Sequence, residues 1–381
     1  MHEFSFYNPT RIEFGRGKER NIGAYMREFG AKKALLLYGS ERIVRTGLFD
    51  VAANSLKENG IEFIACGGVK SNPVLSKVNE AIRLAREFGA DSVLAVGGGS
   101  VLDSAKAIAA RTCYEGDVWD FFKGKTPKNA LKIFDIITLA ATGSEMNSGA
   151  VITNEHSKEK YHTSSEALFP KISVINPELQ ATVTSEYLAY SASDVIAHSI
   201  EAYFTATIHP QIINLQVEAN IKTIIRTTEI LLTNPQDYDA RAEFAWAATM
   251  ALNHITHVGT KNASFPNHMI EHAMSAVTDC AHGAGLSVVM PAWMKWYKDK
   301  NLAQFERFGR EIFGVNSAEE GINALKFWFD KIGTPTTLNQ LGISEKIFDE
   351  VLEVATQNAV AWGMDKIYTK KTIEEILNLA N

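Results

Sequence analysis

Ser92-Val93-Leu94-Ala95-Val96-Gly97-Gly98-Gly99-Ser100 and the continuation Val101-Leu102-Asp103-Ser104-Ala105-Lys106 decide how the N-terminal half is read. A short apolar run stops at three glycines, and a helical pattern follows from Val101 through Ala110. Near-continuous apolar character in a short run marks a strand buried on both faces, as in a parallel sheet. Glycines between such a strand and a helix let the backbone turn tightly and approach a ligand without a Cβ in the way. The free N–H groups of the loop and of the helix start then favour an anion. A plain turn would use the same residues, and the triplet is not the spaced glycine fingerprint of the common dinucleotide fold.

Working outward, the same grammar recurs. Ala34–Tyr38, Ile61–Ala65, Ile133–Leu139 and Ile172–Ile175 are further compact apolar runs. Between them lie amphipathic stretches such as Val74–Phe88, which puts Val78, Ile82 and Ala85 on one helical face. Strand and helix alternation predicts a doubly wound α/β domain. After Pro177 the pattern changes. Thr182-Val183-Thr184-Ser185-Glu186 reads as a capped helix entry, and 185–205, 210–233, 238–258, 264–278 and 283–297 read as helices. The expected division is an α/β dinucleotide-binding domain over 1–179 and an all-α, metal-binding domain over 180–381.

Composition sets outer limits. With 381 residues and 46% hydrophobic content, two domains can each bury a core without cross-links. A net charge of −6 argues against nucleic acid or an anionic membrane as the main partner. Cys66, Cys113 and Cys280 are far apart and odd in number, which fits a reducing compartment better than a disulfide scaffold. Met1–Pro9 lacks the regions of a signal peptide, and no apolar run approaches bilayer length. A cytoplasmic enzyme is expected.

A second loop, Ala140-Ala141-Thr142-Gly143-Ser144-Glu145, follows the strand ending at Leu139. Its small hydroxyl residues and glycine suit a close polar ligand as the glycine triplet does, although an ordinary strand-to-turn cap has the same composition. Two such loops in neighbouring βα units together point to a nucleotide crevice.

The helical half carries a different chemistry. Asp194 and His198 are four apart, as are His268 and His272, and His282 follows fourteen residues after His268. Spacing of four puts two side chains on one helical face. A carboxylate with two or three imidazoles, leaving a position open, suits a catalytic divalent metal. Such pairs are often nothing more than hydrogen-bonded helix neighbours, and His254 and His257 show that helix histidines are scattered here. Spacing alone leaves both readings open; His156 and His162 read as loop histidines.

Taken together, Asn72-Pro73, Ala95–Lys106, Thr142–Glu145, Asp194–Glu201 and the His268/His272/His282 set resemble the iron-containing, group III alcohol dehydrogenases, in particular their butanol dehydrogenase-like branch. The likeness runs from Phe6–Gly15 to Ile373–Leu377. It implies a dehydroquinate-synthase-like fold. By similarity, Asp194, His198, His268 and His282 are the metal ligands and His272 lines the substrate site beside them. Gly98, Gly99 and Ser100 meet the pyrophosphate; Asp103, Thr142 and Ser144 line the cofactor cleft; Asn72 and Lys160 lie near the cofactor. The resemblance favours iron(II), with zinc(II) second, and a homodimer. The chain departs from the family at Asn176-Pro177, where Asp-Pro is usual, and at Tyr38-Gly39-Ser40-Glu41-Arg42, where near relatives carry a glycine-rich loop.

That last loop bears on the nucleotide. An acidic residue at the strand end would hold both ribose hydroxyls of NAD. Gly39 and Ser40 stand there instead, with Arg42 and Arg45 close by and Glu41 opposing them. NADP is favoured, with NAD possible. The expected reaction is hydride transfer between NAD(P)H and a small primary alcohol or aldehyde of butanol or butyraldehyde type, a metal acting as Lewis acid. His272 is the candidate proton carrier. Trp119, Phe122, Phe265 and Met269 are pocket or core residues. The rivals are a metal- and NAD-dependent lyase of dehydroquinate-synthase type and a catalytically silent nucleotide-binding protein.

Overall fold

Strands with two apolar faces need helices on both sides. The computed structural model, which describes all residues Met1–Asn381, builds that arrangement over Tyr7–Thr182. The strands are β1 (Arg11–Phe14), β2 (Lys33–Tyr38), β3 (Glu62–Cys66), β4 (Ser92–Gly97), β5 (Lys132–Ile137), β6 (Gly149–Asn154), β7 (Glu159–Ser164) and β8 (Ile172–Ile175). Six of them form one parallel sheet in the order β1-β8-β5-β4-β2-β3. The helices are α1 (Ile22–Glu28), α2 (Arg42–Arg45), α3 (Leu48–Glu58), α4 (Leu75–Phe88) and α5 (Gly99–Thr112).

Alternate residues of each strand enter different cores. Leu35, Leu37, Val93, Ala95, Ile133 and Ile137 pack with Val78, Ile82 and Ala85 of α4 and with α5. Ala34, Leu36, Leu94, Val96, Phe134 and Ile136 pack with Ile22 and Met26 of α1 and with α3. The adjacent strands β2 and β4 therefore send their following helices, α3 and α5, to opposite faces. This is a topological switch point, where open α/β sheets bind ligands at the strand ends. Gly39, after β2, lies there beside α5: a Cβ on it would stand 3.5 Å from Val101 Cγ2.

The sequence reading did not anticipate β1 or the antiparallel hairpin β6–β7. The hairpin docks on the start of α4: Thr153 N donates to Pro73 O at 2.8 Å, and Glu155 accepts from the backbone N–H groups of Leu75 and Ser76. Asn176 keeps the capping role that an aspartate would have. Its Oδ1 accepts from Glu178 N, while its amide donates to the buried Glu19.

The second compact unit comprises Val183–Asn381 together with Met1–Phe6. A division at 179/180 would fall inside the 3-10 turn Pro177–Gln180, and the first six residues belong with the helices, where His2 N donates to Gly259 O at 2.8 Å. The unit contains α6 (Ser185–Thr205), α7 (Gln211–Thr233), α8 (Tyr238–Ala251), α9 (Pro266–Thr278), α10 (His282–Tyr297), α11 (Leu302–Phe308), α12 (Ala318–Ile332), α13 (Glu345–Ala361) and α14 (Lys370–Asn378). α8 ends seven residues before the expected 258, because Asn253 turns the chain by accepting from Ile255 N and His254 adopts φ 76°. α9 starts at Pro266, whose missing N–H costs nothing at a first helical position. No helix is long and apolar enough to cross a membrane.

α6 is buried on all sides along most of its length, and α10 lies against it at very close range. A Cβ on Gly283 would sit 2.0 Å from the Tyr190 carbonyl oxygen. Gly283→Ala must push the start of α10 off α6. Overpacking of this kind costs about 1–3 kcal/mol, or roughly 2–12 °C in a domain of this size. Differential scanning calorimetry should show that drop; an unchanged midpoint would contradict the close approach.

Candidate active site

Each unit gathers one cluster of polar groups. In the helical unit, α6 carries Asp194 and His198, α9 carries His268 and His272, and α10 begins with His282. The Nε2 atoms of His198, His268 and His282 lie 3.5, 3.7 and 3.6 Å from one oxygen, Asp194 Oδ1. The donor atoms of Asp194, His268 and His282 are all within 4.8 Å of one another. The His198 and His268 rings stack at 4.6 Å. A tetrahedral ion with ligands at 2.0–2.2 Å separates neighbouring donors by about 3.3–3.6 Å, close to these spacings.

The polar bookkeeping points the same way. Asp194 Oδ1 and His268 Nε2 are buried and have no hydrogen-bond partner. Such atoms are costly unless something satisfies them, and the two face each other across the gap of a cation. Burial works against charge on Asp194, yet His198, His282 and His268 together hold its carboxyl well below the usual range. Burial pushes His198 down to about 3. It also opposes charge on His268, but Asp194 and Glu201 outweigh it and raise that imidazole to about 9. A buried carboxylate among these imidazoles favours a compensating positive charge beside it.

Two carboxyl groups that the sequence reading left unassigned brace the outer nitrogens. Glu201 Oε1 lies 2.9 Å from His268 Nδ1 and accepts from the His268 backbone N–H, while Oε2 accepts from Asn267. Glu271 Oε2 pairs with His282 Nδ1. Both glutamates are fully buried. Gly285 leaves room for Glu271, since a Cβ there would stand 2.8 Å from its Cγ. A readable signal existed: each acid sits in an otherwise apolar or histidine-bearing helix stretch, where an unpaired carboxylate would be expensive. His198 lacks such a brace; its Nδ1 is buried without a partner.

His272 belongs to a second group, with Glu271 and His282, whose donor atoms all lie within 4.8 Å of one another. Its ring is 5.6 Å from His282 and 6.4 Å from His268. Of the pocket candidates, Phe265 meets His268 and His257. Trp119 and Phe122 are core residues of the α/β unit, and Met269 is fully buried.

In the α/β unit the two glycine-bearing loops nest together. Gly98 precedes α5 and Gly99 opens it. A Cβ on Gly99 would fall 2.4 Å from Thr142 Oγ1, so only glycine lets the second loop close over the first. Gly98, Ser100, Asp103 and Thr142 remain partly exposed, while Gly99 and Ser144 are buried. The Ser144 hydroxyl is occupied internally: it accepts from Lys106 at 2.9 Å and donates to Asp103 at 2.7 Å. Asp103 Oδ2 accepts from Val151 N. Asn72 and Lys160 meet at 3.0 Å, both buried. Ser40 is exposed beyond β2.

Lys106 had no assigned role. Its ammonium is fully buried and contacts five oxygens, from Ser144, Asn147 and Gly149, at 2.8–3.0 Å. Burial pulls it down to about 8 against the opposing charges of Asp103, Asp135 and Glu145. It ties α5 to the Ser144–Gly149 loop from behind.

A parallel-sheet unit with nested anion loops and a helical unit with an Asp/His₃ centre describe a metal-dependent nicotinamide oxidoreductase. The family model for iron-containing alcohol dehydrogenase matches residues 9–177, and that for the C-terminal domain of the same family matches 188–381. The chain is 36% identical to a probable NADH-dependent butanol dehydrogenase of Bacillus subtilis over 99% of each chain. It is 30% identical to the NADPH-dependent aldehyde reductase YqhD of Escherichia coli over 90% of each. The crystal structure of NADH-dependent butanol dehydrogenase A from Thermotoga maritima superposes with a TM-score of 0.97 at 46% identity, covering 100% of this chain and 99% of that one. The protein belongs to the iron-containing alcohol dehydrogenase family. It is an alcohol dehydrogenase that couples NAD(P)H to an alcohol or aldehyde.

Outer carboxylates that orient metal-bound imidazoles are worth 10–100-fold in metal affinity. Glu201→Gln and Glu271→Gln should each weaken metal binding by about that factor in competitive chelator titration. Wild-type affinity in both variants would remove the bracing role.

Proposed function

We propose that the protein interconverts a small primary alcohol and its aldehyde, of butanol and butyraldehyde type, using NADPH in preference to NADH and one divalent metal, iron(II) or zinc(II). The observation that carries this reading is the single Asp194 oxygen at near-equal distance from three imidazole Nε2 atoms. The donor set of one carboxylate and three imidazoles accepts either metal, and likeness to the iron-containing family favours iron.

Asp194, His198, His268 and His282 would hold the metal, with Glu201 and Glu271 as positioning residues for His268 and His282. When bound, the metal supplies Lewis acidity to a carbonyl and the nicotinamide supplies the hydride. The backbone N–H groups of Gly98, Gly99 and Ser100, at the start of α5, are suited to the pyrophosphate. Thr142 and Asp103 are partly exposed residues beside them, the Asp103 carboxylate being held by Ser144 and Val151. Ser144 acts through Asp103 and Lys106, since its hydroxyl is already committed. Lys160 and Asn72 act as a buried pair. His272, on the side of His268 and His282, can carry the proton that the substrate oxygen gains on reduction, imidazole being the group that titrates nearest neutrality.

The preference for NADPH rests on the end of β2. No carboxylate occupies the position after Tyr38; Gly39 and Ser40 do, and α2 brings Arg42 and Arg45 next to them. The Arg42 guanidinium bonds the Thr182 hydroxyl, and arginine is a residue suited to phosphate recognition. The relatives are named for both nucleotides, so the strand-end residues are what this reading stands on.

Butyraldehyde added to purified enzyme and NADPH should give loss of absorbance at 340 nm that a chelator abolishes. The kcat/KM for NADPH should exceed that for NADH; equality or reversal would refute the nucleotide assignment. His272→Ala should lower kcat about 10²–10⁴-fold with metal retained. Full turnover and an unaltered pH profile in that variant would remove His272 from proton transfer.

A further inference from the structure

The neighbour of His272 is set by the register of two helices. α13 packs along α9, and the contact is pinned by Asn358, a buried side chain whose Nδ2 donates to the Met269 carbonyl at 3.2 Å. Four residues past Asn358, just beyond the end of α13, stands Trp362, and one turn further along α9 stands His272. Their rings meet edge to face, with centroids 5.2 Å apart and planes at 89°. Trp362 follows the last residue of α13, and Gly363 at φ 68° turns the chain away. The indole is therefore delivered to His272 by a fixed helix end and not by a loop. It is only half-buried, although His272 beneath it is buried.

A second aromatic side chain meets the imidazole group, since the Phe265 ring lies 5.6 Å from that of His268. A carbonyl whose oxygen is served by His272 has its carbon substituent beside these walls. Tryptophan is rigid, with two side-chain torsions, and brings the largest apolar surface of any residue. Such a wall discriminates by width: extra methyl groups near the reacting carbon collide with it, whereas a linear chain can pass.

Resting on the alcohol–aldehyde reading above, we propose that Trp362 is a specificity-determining residue that admits straight-chain alkyl aldehydes and excludes those branched next to the carbonyl or one carbon beyond. Asn358 is its positioning residue, through the bond to Met269. A Trp362 that only steadied His272 would affect every aldehyde alike. A width filter changes the ratio between them.

The test compares wild type, Trp362→Leu and Trp362→Phe as metal-replete holoenzymes, with metal content and thermal midpoint checked for each. The substrates are butanal, 2-methylpropanal and 3-methylbutanal with NADPH. In Trp362→Leu the kcat/KM of each branched aldehyde relative to butanal should rise at least about tenfold, the size of effect that one or two methyl groups have in an apolar pocket. Trp362→Phe should show a smaller rise in the same direction, and it decides the matter should the leucine variant lose metal. Calorimetric binding of butanamide and 3-methylbutanamide, which resemble the aldehydes but are not reduced, provides a readout without turnover. Their affinity ratio should narrow by a comparable factor in Trp362→Leu. Unchanged ratios in both assays, with rates falling uniformly, would overturn the proposal. A wild type that reduces no aldehyde but whose amide selectivity shifts on substitution would defeat the proposed activity and leave the role of Trp362 standing.

Discussion

The helical unit is organised around one carboxylate that has been taken out of water. Asp194 is almost fully buried within a helix that is itself surrounded, and an isolated charge there would be prohibitive. Three imidazoles from three helices converge on it, and two further buried glutamates stand behind two of them. Three carboxyl groups and three imidazoles in so small a volume call for added positive charge. A divalent cation meets that need, and removing one member leaves the others facing each other uncompensated. The close approach of α10 to α6 at Gly283, the bulk-free path at Gly285 and the proline start of α9 all serve that convergence.

The α/β unit solves a different problem, that of presenting unpaired backbone N–H groups without losing rigidity. Gly99 permits Thr142 to pack against it, and Lys106 holds the Ser144–Gly149 loop with a fully buried ammonium. Part of the polarity of the two loops is thus spent on fixing each other. Gly98, Ser100 and Thr142 remain partly exposed, where a ligand can meet them.

Much of this was legible in the residues. The apolar runs located five strands of the main sheet to within two residues at each end, because strands covered on both faces are mostly apolar, Asp135 and Ser173 being the buried exceptions. α6 was read with its true limits, since Thr184 is a strong cap whose hydroxyl accepts from Tyr187 N. β1 and the β6–β7 hairpin were missed because they are mixed in polarity. β6 and β7 pair with each other, and β6 packs against α5 and the start of α4, tertiary contacts that no local pattern announces. The histidine spacings indicated a metal, but alone could not separate ligation from ordinary hydrogen bonding. Family resemblance supplied that choice, and the shared distance to Asp194 supplies the geometry. Glu201 and Glu271 went unassigned since their roles depend on residues 67 and 11 positions away. Ser144 read as a ligand-facing hydroxyl, yet its bonds run inward to Lys106 and Asp103, a pairing visible only in three dimensions.

The convergence of Asp194, His198, His268 and His282 on a single ion is tested most directly by anomalous diffraction at the metal absorption edge from crystals of the metal-loaded protein. One peak per chain is predicted, within about 2.0–2.2 Å of the Asp194 carboxylate and of the three Nε2 atoms. A peak elsewhere, or a shell lacking two of the four, would contradict the account.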